Sequence, residues 1–138
     1  MNQRVKSAME SALKKLQKKH DNFDWVGFYI MNNETNTLHL GPYIGAATDH
    51  VEIPYGKGIC GQVAVSGEIY HSSDVSKEDN YIACSIDTKS ELVLPIYDKN
   101  GTLVAQLDID SHEKETFTPD VIVSCEEVCA EIGGMWGE

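Results

Sequence analysis

A chain of 138 residues with 41% hydrophobic and 24% charged residues has the make-up of one globular domain with a core of its own, and residues 1–138 are read as that single domain. Its net charge of −11 argues against nucleic acid as a partner, and no apolar run approaches the ~20 residues of a membrane span. No apolar stretch follows Met1–Lys6, so no secretory signal is expected, the cytoplasm is the default location, and the four cysteines are not expected to form a structural disulfide framework.

The charge is unevenly placed. Residues 1–20 carry six Lys/Arg against Glu10, while the remainder carries five against 21 acids. Val5, Ala8, Met9, Ala12, Leu13 and Leu16 recur at three- and four-residue steps, with the lysines mainly elsewhere. This predicts an amphipathic helix with a basic solvated face, ending near His20-Asp21-Asn22. Asp24 to Met31 is β-rich, and Asn32–Asn36 is a turn. A returning strand starts at Thr37, breaks at Gly41-Pro42 and continues to Ala46. His50–Ile53 is a short extended piece. Gly58 to Val65 opens a short helix, and Glu68–His71 is a short strand. Residues 72–90 are polar with few regular signals, and long loops of that kind are functional or disordered.

Two further strands follow, Glu91–Ile96 and Leu103–Asp110, separated by Asn100-Gly101. That dipeptide predicts a type I′ hairpin turn. The register then sets Glu91 opposite Asp110, Leu92 opposite Ile109, Leu94 opposite Leu107 and Ile96 opposite Ala105. The apolar pairs share one face. Glu91, Asp108 and Asp110 share the other. Like charges opposed in a sheet repel, so this face must bind a cation, share a proton or stay fully solvated. Thr118 and Pro119 start a last helix whose stripe is Val121, Ile122, Cys125, Val128, Cys129 and Ile132, with Gly133-Gly134 to stop it. The expected fold is α+β: a mainly antiparallel sheet, the terminal helices on one face and the loops of residues 41–90 over the other.

Among candidate functional groups, Cys60 lies between glycines at a helix start, which predicts a lowered thiol pKa; the alternative is a small buried residue in a tight turn. Cys84 lies in the long loop before Glu91. Cys125 and Cys129 sit on an apolar helical stripe and are expected in the core. The five histidines and four cysteines show no metal-ligand spacing, so no metal is expected. Trp25, Gly27 and Tyr29 alternate onto the face of the carboxylates, and a shallow aromatic slot is expected over Gly27.

Six segments then occur in order: Trp25–Tyr29, Leu40–Gly45, Gly56–Gly61, Tyr81–Cys84, Ser90–Ile96 and Leu107–Ser111. Together they resemble the free methionine-(R)-sulfoxide reductases, a branch of the GAF-domain fold. The resemblance implies that Cys84 is the nucleophile and Cys60 a partner thiol. It implies that Glu91, Asp108 and Asp110 bind substrate and assist proton transfer, and that Trp25 and Tyr29 surround the substrate methyl group. It further implies a sulfenic acid on Cys84, a disulfide, recycling by thioredoxin or a similar external dithiol, and no bound cofactor; a homodimer is compatible with it. Two positions depart from the pattern. Thr48 stands where many members have another cysteine, so either Cys60 takes that role or activity is impaired. Ser85 follows Cys84 where the family commonly has Asp. A non-catalytic ligand-binding GAF module and a thiol redox sensor are the alternative readings.

Overall fold

The computed structural model describes residues 1–77 and 88–137. Helix α1 spans Gln3–Lys19. Asn2 caps it by accepting from the Val5 N–H at 2.9 Å, and Lys18 and Lys19 face its negative C-terminal end. Its buried stripe is Val5, Met9, Leu13 and Leu16. The strands are β1 (Trp25–Asn32), β2 (Thr37–Ile44), β3 (Glu52–Pro54), β4 (Tyr70–Ser72), β5 (Ser90–Tyr97) and β6 (Leu103–Ser111). Helix α2 spans Gly58–Ser66, and α3 spans Pro119–Gly134. The six strands form one sheet in the order β3-β2-β1-β6-β5-β4, every pairing antiparallel.

The terminal helices lie on one face of this sheet. There Val5, Met9, Leu13 and Leu16 meet Val26, Phe28, Leu92, Leu94, Leu107 and Ile109, together with Cys125, Cys129 and Ile132 of α3. Each fully buried Leu, Ile, Val or Phe of this set contributes about 1.5–3 kcal/mol of transfer free energy. Helix α2 covers the opposite face, where Ile59, Cys60 and Val63 pack with Trp25, Tyr29, Leu38, Ile53 and Val93. The expected α+β layering is therefore observed, with terminal helices on one side and the segment after β2 on the other.

The expected break at Gly41-Pro42 is a bulge, and β2 continues past it. Tyr29 pairs with Leu40 but Gly27 pairs with Tyr43, so the strand absorbs one extra residue as a bulge and continues. A bulge is where a sheet tolerates proline, which has no N–H to donate.

One local expectation is corrected, the hairpin turn. A type I′ turn needs positive φ at both Asn100 and Gly101. Only Gly101 has it, at +80°. The turn is centred one residue earlier, on Lys99 and Asn100, with the Gly101 N–H donating to the Asp98 carbonyl at 3.0 Å. Asp98 accounts for the shift: its carboxylate accepts from the Asn100 and Thr102 N–H groups, both at 2.9 Å. Tyr97 consequently faces Leu103. Ile96 still faces Ala105, because Val104 is an extra residue on β6. The expected register from Ile96 back to Glu91 is thus intact despite a different turn.

Candidate active site

The hairpin brings the acids together. Glu91 pairs with Asp110 and Val93 with Asp108, so Glu91 is diagonal to Asp108. On the other side of β6, Trp25 pairs with Asp110, Gly27 with Asp108 and Tyr29 with Gln106. Glu91, Asp108 and Asp110 are only 3%, 1% and 1% exposed. A fully solvated strand face is thereby excluded. Among the outcomes for opposed acids, proton sharing or cation binding remain.

Cys60 is the third residue of α2, which lays it over the same face of the sheet. The Gln106 side-chain amide, fully buried on β6, donates to the Cys60 carbonyl at 2.8 Å and ties the helix to the strand that carries the acids. One donor atom from each of Cys60, Glu91 and Asp108 lies within 4.8 Å of the other two. These three line a cavity of about 10 Å³ together with Tyr29, His50 and the Lys57–Ile59 turn into α2. That is about the room of a single water.

The electrostatics follow from burial. Removal from water, then the nearby Asp108 and Asp110 carboxylates, push the Glu91 carboxyl well above its usual range. Burial also raises Asp108, opposed by hydrogen bonds from Glu91 and Cys60 and by nearby His50. Both carboxyls thus favour their protonated forms more than a solvated acid does, and repulsion adds to burial at Glu91. Cys60 corrects an expectation. Its thiol is not lowered by the helix start but raised well above its usual value, first by burial and then by Asp108, Glu91 and Asp110. A helix N-terminus carries about half a positive charge, too little to offset burial beside carboxylates.

The aromatic pair is placed differently from a slot. The Trp25 indole lies across Gly27; a Cβ there would stand 2.6 Å from the ring, so the space belongs to the indole itself. Trp25 stacks on Tyr43 and Tyr29, with centroids 5.4 and 6.3 Å apart, and its N–H donates to the Ala46 carbonyl at 3.1 Å. The Tyr29 hydroxyl donates to the His50 carbonyl at 2.8 Å, and the His50 N–H donates to the Thr48 hydroxyl at 3.1 Å. Thr48, at the departure noted above, thus anchors the turn that presents His50. Cys125 and Cys129 lie in the core under α3, both thiols raised by burial, Cys125 to about 12. Cys84 and Ser85 lie outside the described residues.

Sequence reasoning missed two members of the site. Gln106 was findable, since it shares a strand face with Asp108 and Asp110. His50 carried no local signal; it reaches the cavity because β3 folds back on β2.

No family model matches the chain. It is 41% identical over 95 residues to the free methionine-R-sulfoxide reductase of Saccharomyces cerevisiae, covering 68% of this chain and 52% of that protein. It is 39% identical over 97 residues to the free methionine-R-sulfoxide reductase of Escherichia coli, covering 70% and 56%. The chain thus spans about half the length of these curated relatives. Among solved structures, the type II free methionine-R-sulfoxide reductase of Thermoplasma acidophilum superposes with a TM-score of 0.88 at 32% identity, covering 94% of this chain and 89% of that one. The enzyme of Neisseria meningitidis, solved in complex with its substrate, gives 0.86 at 28%, covering 94% and 75%. With that identity over nearly the full length of both chains, this chain belongs to the free methionine-R-sulfoxide reductase family of GAF-fold proteins.

Proposed function

We propose that this protein reduces the R-sulfoxide of free methionine to methionine. The observation that carries this reading is the buried cluster of Glu91, Asp108 and Cys60 around one cavity, with the Glu91 carboxyl pushed well above its usual range. A sulfoxide oxygen leaves poorly until it is protonated, and burial beside two carboxylates biases Glu91 towards its neutral acid form. Asp108 and Asp110 supply negative charge for the ammonium of a free amino acid. A peptide-bound residue lacks that ammonium. The described cavity is far smaller than an amino acid, so the bound state has lining groups moved outward.

In this reading Cys84 attacks the sulfoxide sulfur as Glu91 protonates the oxygen. The hydroxyl passes from the substrate sulfur to the Cys84 sulfur as the transient S–S bond breaks, so methionine leaves reduced and Cys84 is oxidised to a sulfenic acid. The Cys60 thiol then attacks Cys84, forming a disulfide and releasing water, with Asp108 placed to take the thiol proton. An external dithiol such as thioredoxin reopens the disulfide. The raised Cys60 pKa fits a partner thiol that stays protonated until its target forms.

The test is NADPH consumption with thioredoxin and thioredoxin reductase, using each epimer of free methionine sulfoxide and its N-acetyl derivative. Turnover is expected with the free R-epimer and not with the N-acetyl compound. Cys84→Ser should abolish methionine formation even in a single turnover. Cys60→Ser should allow about one turnover and leave a sulfenic acid trappable by dimedone. Tight substrate binding without turnover would instead favour a ligand-binding module. Disulfide formation without sulfoxide reduction would favour a redox sensor.

A further inference from the structure

The cluster under α2, to which the reductase reading gives proton-transfer and thiol roles, is also a set of metal donors. A thiol and two carboxylates present one atom each, all within 4.8 Å of one another. In a tetrahedral zinc site, Zn–S near 2.3 Å and Zn–O near 2.0 Å set neighbouring donors roughly 3.3–3.7 Å apart. Side-chain rotations drawing the three groups in by about 1 Å would close them on one ion. The cavity they line, about 10 Å³, has the room of a single water, enough for one ion once the groups have drawn in. A second observation points the same way. Asp108 is 1% exposed, yet its Oδ1 is buried with no hydrogen-bond partner. Such an atom is an acceptor waiting for a proton or a cation. Lys57, the lysine on the described cavity wall, is itself exposed.

We propose that Cys60 Sγ, one Glu91 oxygen and Asp108 Oδ1 form a binding site for a thiophilic divalent cation, Zn²⁺ being the biological case, with water completing the coordination. The sulfur donor selects against Mg²⁺ and Ca²⁺, which take oxygen ligands in larger number. Binding displaces the protons of Cys60 and Glu91 to solvent, with no change of oxidation state. The binding step is independent of the reductase reading. Its consequence rests on that reading: the ion occupies the place of the substrate ammonium and caps Cys60, so it inhibits reversibly.

Co²⁺ serves as the spectroscopic probe. Reduced wild-type protein, and Cys84→Ser protein in which that thiol cannot contribute, are titrated with Co²⁺, and Zn²⁺ is then added in competition. A thiolate-to-cobalt charge-transfer band saturating at one equivalent and abolished by Zn²⁺ is expected in both. Cys60→Ser should lose the band. Glu91→Gln and Asp108→Asn should weaken Zn²⁺ by at least the ~10-fold that even outer-shell losses cost. X-ray absorption of the Zn²⁺-loaded wild type needs no variant, and should show one sulfur near 2.3 Å and oxygens near 2.0 Å. A band that survives Cys60→Ser, acid variants that bind as tightly as wild type, or a zinc environment without sulfur would each overturn the proposal. Inhibition of turnover by Zn²⁺ is read separately. If the protein reduces no sulfoxide, the reductase reading fails while the spectra still decide the site.

Discussion

Two causes raise the Glu91 carboxyl, and they differ in what removes them. Burial acts whatever its neighbours are, whereas repulsion from Asp108 and Asp110 disappears when a cation enters. Glu91→Gln keeps the volume and a hydrogen-bond donor but cannot give up a proton. It should lower kcat/KM for methionine sulfoxide by about 10²-fold, the usual size of a lost general acid, mainly through kcat. An unchanged kcat would remove Glu91 from the proton-transfer step. Asp108→Asn tests the neighbouring link. It deletes a negative charge that raises the Cys60 thiol, so the pH midpoint of Cys60 alkylation in Cys84→Ser protein should move down. A midpoint that stays or rises would mean that Asp108 does not control the thiol. The mistaken expectation for Cys60 has the same root. A sequence shows that Gly58 starts a helix, but not that β6 lays carboxylates under it.

Among the elements, β5 and β6 were the most legible, because alternation of apolar and polar residues fixes which side chains share a face. Their turn was less so. Asn100-Gly101 is a good local signal, but the Asp98 carboxylate offers two hydrogen bonds to a different turn, and those win. The site register was right because Val104 bulges by the one residue that the turn displaces. Asp98→Ala should therefore cost about 1 kcal/mol of unfolding free energy in urea. It should leave sulfoxide reduction unchanged, since the acids sit at the far end of the hairpin. A fall in activity would show that the turn, rather than the bulge and the apolar pairs, sets the register at Glu91. The bulge at Gly41-Pro42 was read as a break for a related reason: β1 and the fold-back to β3 hold the strand together from outside its own sequence.

Across the whole molecule, the buried acids couple the site to the stability of the fold. Glu91 and Asp108 bind protons more tightly folded than unfolded. Their contribution is full below the unfolded carboxyl values, about 3.9–4.3, and is lost as pH rises through the raised folded values. Relative to Glu91→Gln, the wild type should lose melting temperature as pH rises from about 5 towards 8. Parallel curves for the two proteins would mean that Glu91 is not held neutral in the fold. Among the described residues no helix is long and apolar enough to cross a membrane. The strand order has a consequence for how the chain is assembled. Strand β6, the last in sequence, inserts between β1 and β5 at the middle of the sheet rather than adding at a margin. Without it, the sheet order leaves two unconnected groups of strands, β3-β2-β1 and β5-β4, with the edges of β1 and β5 unpaired. Asp108 and Asp110 are on that last strand and Glu91 on β5, so the acid cluster cannot assemble until β6 has been made. A chain stopped before Leu103 would expose both edges to other chains, and its expected fate is aggregation rather than a partly active fragment.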